Sequence, residues 1–363
     1  MTHRPDPAAF ADLLAGYCLE VSPQQQILVR STTLAAPLLL ELQRTILERD
    51  AWPLLRTELP EATVNFYRHA QDLHFDLFAP FELEEAKKVQ ATLSIQAPAN
   101  TRALTAIDPA LLARVARARR DIRDETLKRP WATTLWPTES NAQEAGMSLD
   151  AFGAFVERAL FLDQPDPVAS WGGLRGFQDT LIRRLSKAST LRVETPGTSL
   201  ELEVKGRTWI NSDGKRNMPS GEVFTGPLES SANGHVRFGV PSSPQGVEVA
   251  NVELELRDGE VVSAKAERGQ TYLDRALATD EGARRLGEVG IGTNYGIDRA
   301  VGAILFDEKI GGTLHLALGR SYPETGGRNR SALHWDLILD LRDGGRIWAD
   351  DEVIQQDGRF VTG

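Results

Sequence analysis

In TLHLALG (Thr313–Gly319) every second residue is a leucine. A strand alternates its side chains between two faces, so Leu314, Leu316 and Leu318 line one face while Thr313, His315 and Ala317 line the other. SALHWDLILDL repeats the design. Leu333, Trp335, Leu337, Leu339 and Leu341 form a greasy face, and His334, Asp336, Ile338 and Asp340 project oppositely. His334 and Asp336 therefore point the same way, with Cα atoms roughly 7 Å apart.

The first half has a different rhythm. QQILVRST (Gln25–Thr32) reads as a buried strand and TLAAPLLLELQRTILERD as the helix after it, capped by Thr32 or Thr33. WPLLRTE and VQATLSIQA (Val89–Ala97) read as further strands. Asp108 caps a long helix, PALLARVARARRDIRDETLKR, that opens on Pro109, and PWATTLWP is the next strand. Strand–helix alternation predicts a parallel sheet covered by helices. Helices starting at Ser148 and at Asp166-Pro167 close this half.

From about Ser189 the chain turns strand-rich. LRVETPGTSLELEVKG spans two alternating runs across Pro196-Gly197, and VELELRDGEVVSAKA is a hairpin about Asp258-Gly259. LILDLRDGGRIWAD turns at Gly344-Gly345. The change of texture predicts an α/β N-terminal domain over 1–188 and a strand-rich α+β C-terminal domain over 189–363. The length of 363 residues agrees, since single cores seldom grow past about 300.

Charge narrows the partners. A net charge of −10 argues against nucleic acid or anionic membrane, both of which reward clustered Lys and Arg. The single cysteine, Cys18, excludes an intramolecular disulfide and a thiolate metal cluster and suits a reducing cytoplasm. The opening MTHRPDPAAF lacks a long apolar stretch, so no signal peptide is expected. No apolar run approaches the ~20 residues that span a bilayer.

Candidate chemistry gathers late in the chain. His315 sits among small residues on its strand face. Glu222 follows a Pro-Ser-Gly turn, Glu288 lies in a glycine-rich stretch, and Asp307 and Glu308 stand where an apolar strand is expected to end. Mixed imidazole and carboxylate donors suit Zn²⁺, Co²⁺ or Mn²⁺, and Mg²⁺ tolerates such ligands too. So many carboxylates exceed the needs of one tetrahedral zinc and suggest two metals sharing a bridging acid. GIGTNYG (Gly290–Gly296) lacks the phosphate-loop pattern, no G-x-S-x-G elbow occurs, and His69 and His74 carry no catalytic pattern. The donor set by itself leaves open a dinuclear phosphoesterase or amidohydrolase, or a non-catalytic metal-binding module.

Four segments in this order, NMPSGEVFTGP, GARRLGEVGIGTNYGI, ILFDEKIGGTLHLALGRSY and NRSALHWDLILDLRDGG, resemble the thermophilic aminopeptidase family of metallopeptidases, peptidase family M29. The likeness is strongest from Leu200 onward and extends weakly upstream through ESNAQEAGMSLDAF and DPVASWGGL. It implies a homodimeric metalloaminopeptidase that removes N-terminal residues by metal-activated water attack on the first peptide bond. It implies two divalent ions held by Glu222, a bridging Glu288, Glu308, His315, His334 and Asp336. Tyr322 matches the family's catalytic tyrosine, and Glu222 or Glu288 would assist as a base. Relative to the family pattern, the stretch from Glu308 to His315 is longer and that from His315 to His334 shorter.

Overall fold

A computed structural model describes residues 3–361. By contacts the chain divides into two units. One holds the chain up to Val168 together with Gly214–Pro219, and the other holds Ala169–Asp213 and everything from Ser220 onward.

The first unit carries β1 (Gln26–Thr32), β2 (Trp52–Glu58), β3 (Ala91–Gln96) and β4 (Trp131–Leu135) in the order β2-β1-β3-β4, all parallel. Helices connect them, as the alternating pattern predicts. Thr32 caps the turn leading into helix Ala36–Leu47, its hydroxyl accepting from Leu34 N–H at 3.4 Å. Asp108 caps the helix that opens on Pro109, accepting from Ala110 N–H at 2.8 Å. That helix is not continuous, however. It breaks into Pro109–Ala118 and Arg120–Thr126 at Arg119, whose backbone (φ −88°, ψ 10°) leaves the helical basin where its guanidinium pairs with Glu82.

The second unit begins with most of helix Pro167–Leu185. Composition placed the change of texture near Ala188, but this helix belongs with the strands C-terminal to it, because Leu181 and Leu185 are buried in the second unit's core. The strands are β5 (Thr190–Thr195), β6 (Thr198–Glu203), β7 (Ile210–Ser212), β8 (Glu222–Thr225), β9 (Asn233–Phe238), β10 (Ala250–Arg257), β11 (Glu260–Arg268), β12 (Leu286–Gly292), β13 (Thr313–Gly319), β14 (His334–Asp340), β15 (Arg346–Ala349), β16 (Glu352–Gln356) and β17 (Arg359–Phe360). They form two antiparallel sheets, ordered β11-β10-β9-β6-β5-β15-β16-β17 and β14-β13-β12-β8-β7. The β10–β11 hairpin turns at Asp258-Gly259, both with positive φ, as the sequence predicts. One apolar cluster draws residues from both sheets, including Val193, Leu202, Phe238 and Leu254 from the first and Val289, Leu316 and Leu337 from the second. Burying each such side chain contributes roughly 1.5–3 kcal/mol, so this cluster is what fixes the second sheet in place.

Candidate metal centre

The five-stranded sheet has two unlike faces. Val223, Val289, Ile291, Leu314, Leu316, Leu318, Trp335, Leu337 and Leu339 enter the core. Alternation then obliges Glu222, Gly290, His315, Ala317, His334 and Asp336 to share the opposite face. Strand register sets them side by side. Gly292 pairs with Glu222, Gly290 with His315, Ala317 with both Glu288 and Asp336, and Gly319 with His334. The small partners leave room above the sheet for the long polar side chains.

Glu288 reaches this face through an irregularity. Leu286 lies in the core, and strict alternation would send Glu288 there too. A β-bulge between Leu286 and Glu288 inserts Gly287 and reverses the sense, which turns the carboxylate outward while Val289 still packs inward.

Five of the seven expected residues converge closely. The Nε2 atom of His315 lies 3.3 Å from Glu222 Oε2 and 3.3 Å from Glu288 Oε1. His334 Nε2 lies 3.8 Å from Glu288 Oε2 and 3.6 Å from Asp336 Oδ2. Two groups, Glu222/Glu288/His315 and Glu288/His334/Asp336, each bring donor atoms within 4.8 Å of one another, and they share Glu288. His334 donates through Nδ1 to the Arg320 carbonyl at 2.8 Å, which leaves Nε2 as the lone-pair atom facing the carboxylates.

Glu308 stands beside this set rather than inside either group. Its Oε1 contacts the ammonium of Lys309, which in turn lies 3.6 Å from Glu222 Oε1. The segment before it is not the end of a strand, as its apolar run suggested, but a helical turn, Ile304–Asp307. Asp307 turns away from the cluster and accepts from Val301 N–H at 2.8 Å, which stitches the loop together. Tyr322 lies just beyond the end of β13, with its ring 5.2 Å from the His334 ring and 5.7 Å from that of Phe224.

Sequence reasoning missed two contributors. Gln178, wholly buried on helix Pro167–Leu185, donates through Nε2 to the Glu222 carbonyl at 2.9 Å and to Thr293 Oγ1 at 3.0 Å, so it ties β8 to the end of β12. Lys309 is also wholly buried. Its trace in the sequence is a lysine directly after two acids, Asp307 and Glu308, with apolar residues on either side of the charged triplet.

The electrostatics are those of a site short of cations. Burial pushes the carboxyls of Glu222 and Glu288 upward against the pull of their cationic neighbours. Burial would lower the His315 imidazolium, but its hydrogen bond to Glu288 and the charges of Glu222 and Asp336 outweigh it and the net shift is upward. His334 moves the same way, with Asp336 and Glu288 outweighing burial. Acids and imidazoles alike are therefore shifted toward binding protons more tightly than the free groups do. Tyr322 is 37% exposed, yet burial of its phenol and then the charges of Glu288, Asp336, Glu308 and Glu222 raise it far above its ordinary range, so it stays a donor.

Three buried carboxylate oxygens of these residues, Glu222 Oε2, Glu288 Oε2 and Asp336 Oδ1, have no hydrogen-bond partner. Each such atom costs about 1–3 kcal/mol if left unmet. These oxygens, with the Nε2 atoms of His315 and His334 beside the same carboxylates, are the chemistry of ligands to a divalent cation. The residues present fit such an ion.

The profile of the family described as Thermophilic metalloprotease (M29) matches residues 6–360. Aminopeptidase 2 of Geobacillus stearothermophilus is 30% identical over 92% of this chain and 91% of its own length. Aminopeptidase T of Thermus thermophilus is 28% identical over 58% of this chain and 56% of its own. The solved structure of wild-type AmpT from Thermus thermophilus superposes with a TM-score of 0.86, covering 98% of this chain and 99% of that one at 21% identity, a likeness of fold.

Proposed function

The chain belongs to the thermophilic metalloprotease family M29, and from that premise we propose that it removes N-terminal residues from peptides at the carboxylate–imidazole cluster of its second unit. The supporting observation is the pair of three-donor groups that share Glu288. In this reading Glu222 and His315 would hold one divalent ion, His334 and Asp336 would hold a second, and Glu288, common to both groups, would serve both. Glu308, tied to Glu222 through Lys309, stands as the sixth ligand candidate. Zn²⁺, Co²⁺, Mn²⁺ and Mg²⁺ all accept this donor set.

Divalent ions held there would supply Lewis-acid polarisation of the scissile carbonyl and a hydrolytic nucleophile at neutral pH. The protein's own groups do the rest. Glu222 or Glu288, the acids beside His315, would assist as the base that takes up the proton released during attack. Tyr322 keeps its proton and donates a hydrogen bond to the oxyanion as it forms. His334, held by the Arg320 carbonyl, cannot swing out of register.

The reading extends to a homodimer in the cytoplasm. Among the described residues no helix is long and apolar enough to cross a membrane. Trp52, Leu59, Leu73, Leu77 and Phe81 are more than half exposed in the first unit and offer an apolar surface for a second copy.

The test is metal analysis paired with a panel of aminoacyl-arylamides, run on chelated and on reloaded protein, with aryl phosphates in parallel. Release of the arylamine only after reloading is the expected result. Fully loaded protein that cleaves no aminoacyl-arylamide, or that cleaves the phosphates instead, would overturn the proposal.

A further inference from the structure

Lys309 has no part in the chemistry above, yet its placement is costly. A wholly buried ammonium is retained only when it is paired and held. Its backbone is fixed on both sides. The Lys309 N–H donates to the Phe306 carbonyl at 2.9 Å, and its carbonyl accepts from Asn294 N–H at 3.1 Å. Asn294 donates through Nδ2 to the Ser220 carbonyl at 2.9 Å, two residues before Glu222. Lysine and glutamate therefore hang from one bonded junction.

The Glu222 carboxylate is divided between two neighbours. Oε1 lies 3.6 Å from Lys309 Nζ, and Oε2 lies 3.3 Å from His315 Nε2 with no hydrogen bond of its own. Lys309 also holds Glu308 through its Oε1. A carboxylate with one oxygen drawn toward a fixed cation presents the other more readily to a metal.

We propose that Lys309 is a positioning residue: its ammonium holds Glu222 and Glu308 so that each presents a single oxygen to the divalent ion beside His315. Without it, either carboxylate is free to close on the ion through both oxygens, which changes the coordination number and fills positions that substrate needs. This inference rests on the metal-centre reading above.

The experiment substitutes Lys309→Met in the full chain and tracks Co²⁺ uptake, the visible Co²⁺ absorption spectrum, and kcat and KM at saturating Co²⁺. The expected variant binds Co²⁺ with an altered visible spectrum, and its kcat falls by about 10-fold or more while KM moves by less than about 3-fold. A lysine that served only the fold would lower the melting temperature and leave the spectrum and kcat of the loaded enzyme as in wild type, and that result overturns the proposal. If Lys309→Met does not fold, Lys309→Gln removes the charge but keeps a polar side chain and leaves every candidate ligand intact, and the same spectral and kcat changes are expected of it. Failure of both to fold would assign Lys309 to the fold and likewise overturn the proposal. Wild-type protein that takes up no Co²⁺ would defeat the metal-centre reading itself, a result distinct from any change at Lys309.

Discussion

Gly290 is the sharpest point at which to press on the site. It lies across from His315 in the β12–β13 register and is not among the glycines with positive φ, so its backbone suits alanine. Space does not. A Cβ at Gly290 would stand 2.2 Å from both Cε1 and Nε2 of His315 and 3.0 Å from Nδ1. Moving from 2.2 Å to the 3.4 Å at which ordinary contact begins requires the ring to retreat by about 1.2 Å. The ring is wholly buried, so retreat means an off-rotamer side chain or a shifted strand, and the cost is about 1–3 kcal/mol. The same retreat takes Nε2 away from the two carboxylate oxygens it now meets at 3.3 Å. Metal–nitrogen distances tolerate only about 0.2 Å, and misplacement of a catalytic group by about 1 Å costs on the order of 100-fold in rate.

Gly290→Ala should therefore lower the melting temperature, lose metal and lose about 100-fold in kcat/KM. The control is the same substitution made in a His315→Ala background. With the ring gone the new methyl has space, and replacing a strand glycine by alanine becomes neutral or slightly stabilising. The two substitutions should thus couple by about 1–3 kcal/mol in a denaturation cycle. Wild-type metal content in Gly290→Ala, or an equal loss of stability with and without the imidazole, would refute the reasoning.

The same geometry sets other outcomes. Glu288→Ala removes the one residue common to both donor groups and should abolish metal retention and activity together, and elemental analysis showing both ions retained would break the assignment. Tyr322→Phe should keep its metal but lose roughly 10- to 1,000-fold in kcat, so an unchanged kcat at full loading would remove the phenol from the reaction. Because Glu222, Glu288, His315 and His334 all hold protons more tightly than isolated groups, metal must displace protons, and affinity should rise with pH. Calorimetry in buffers of different ionisation enthalpy should show net proton release, and uptake would contradict the sign. Leu316→Ala, on the core face behind His315, should cost about 2–5 kcal/mol by denaturant titration while leaving the donor atoms unaltered in kind.

Strict alternation carries a reader of the bare chain a long way and then stops at a definite place. It sorts His315, His334 and Asp336 onto one face and the leucines onto the other, and β13 and β14 keep that arrangement. The same rule fails at Glu288, because a period of two cannot anticipate a strand that gains a residue. The bulge at Gly287 is legible only once the strands are paired: a Cβ there would meet the Gly319 and Arg320 carbonyl oxygens at 2.2 and 2.4 Å, so only glycine permits the crossing. Lys309 escapes for another reason. Pattern reading assigns a charged residue in an apolar run to a turn or to solvent, whereas burial here depends on Glu222, which lies 87 positions earlier in the chain, and on Glu308. Likewise the helix after Pro109 breaks at Arg119 with no proline or glycine there to announce it. What local sequence encodes is the face on which each ligand stands. What it omits is the register that brings faces from separate strands together, and register is set by the apolar contacts on the far side of the sheet. The leucine face therefore determines the metal site as much as the histidines do: a slip of one residue in β13 would send His315 into the core and a leucine into its place among the carboxylates.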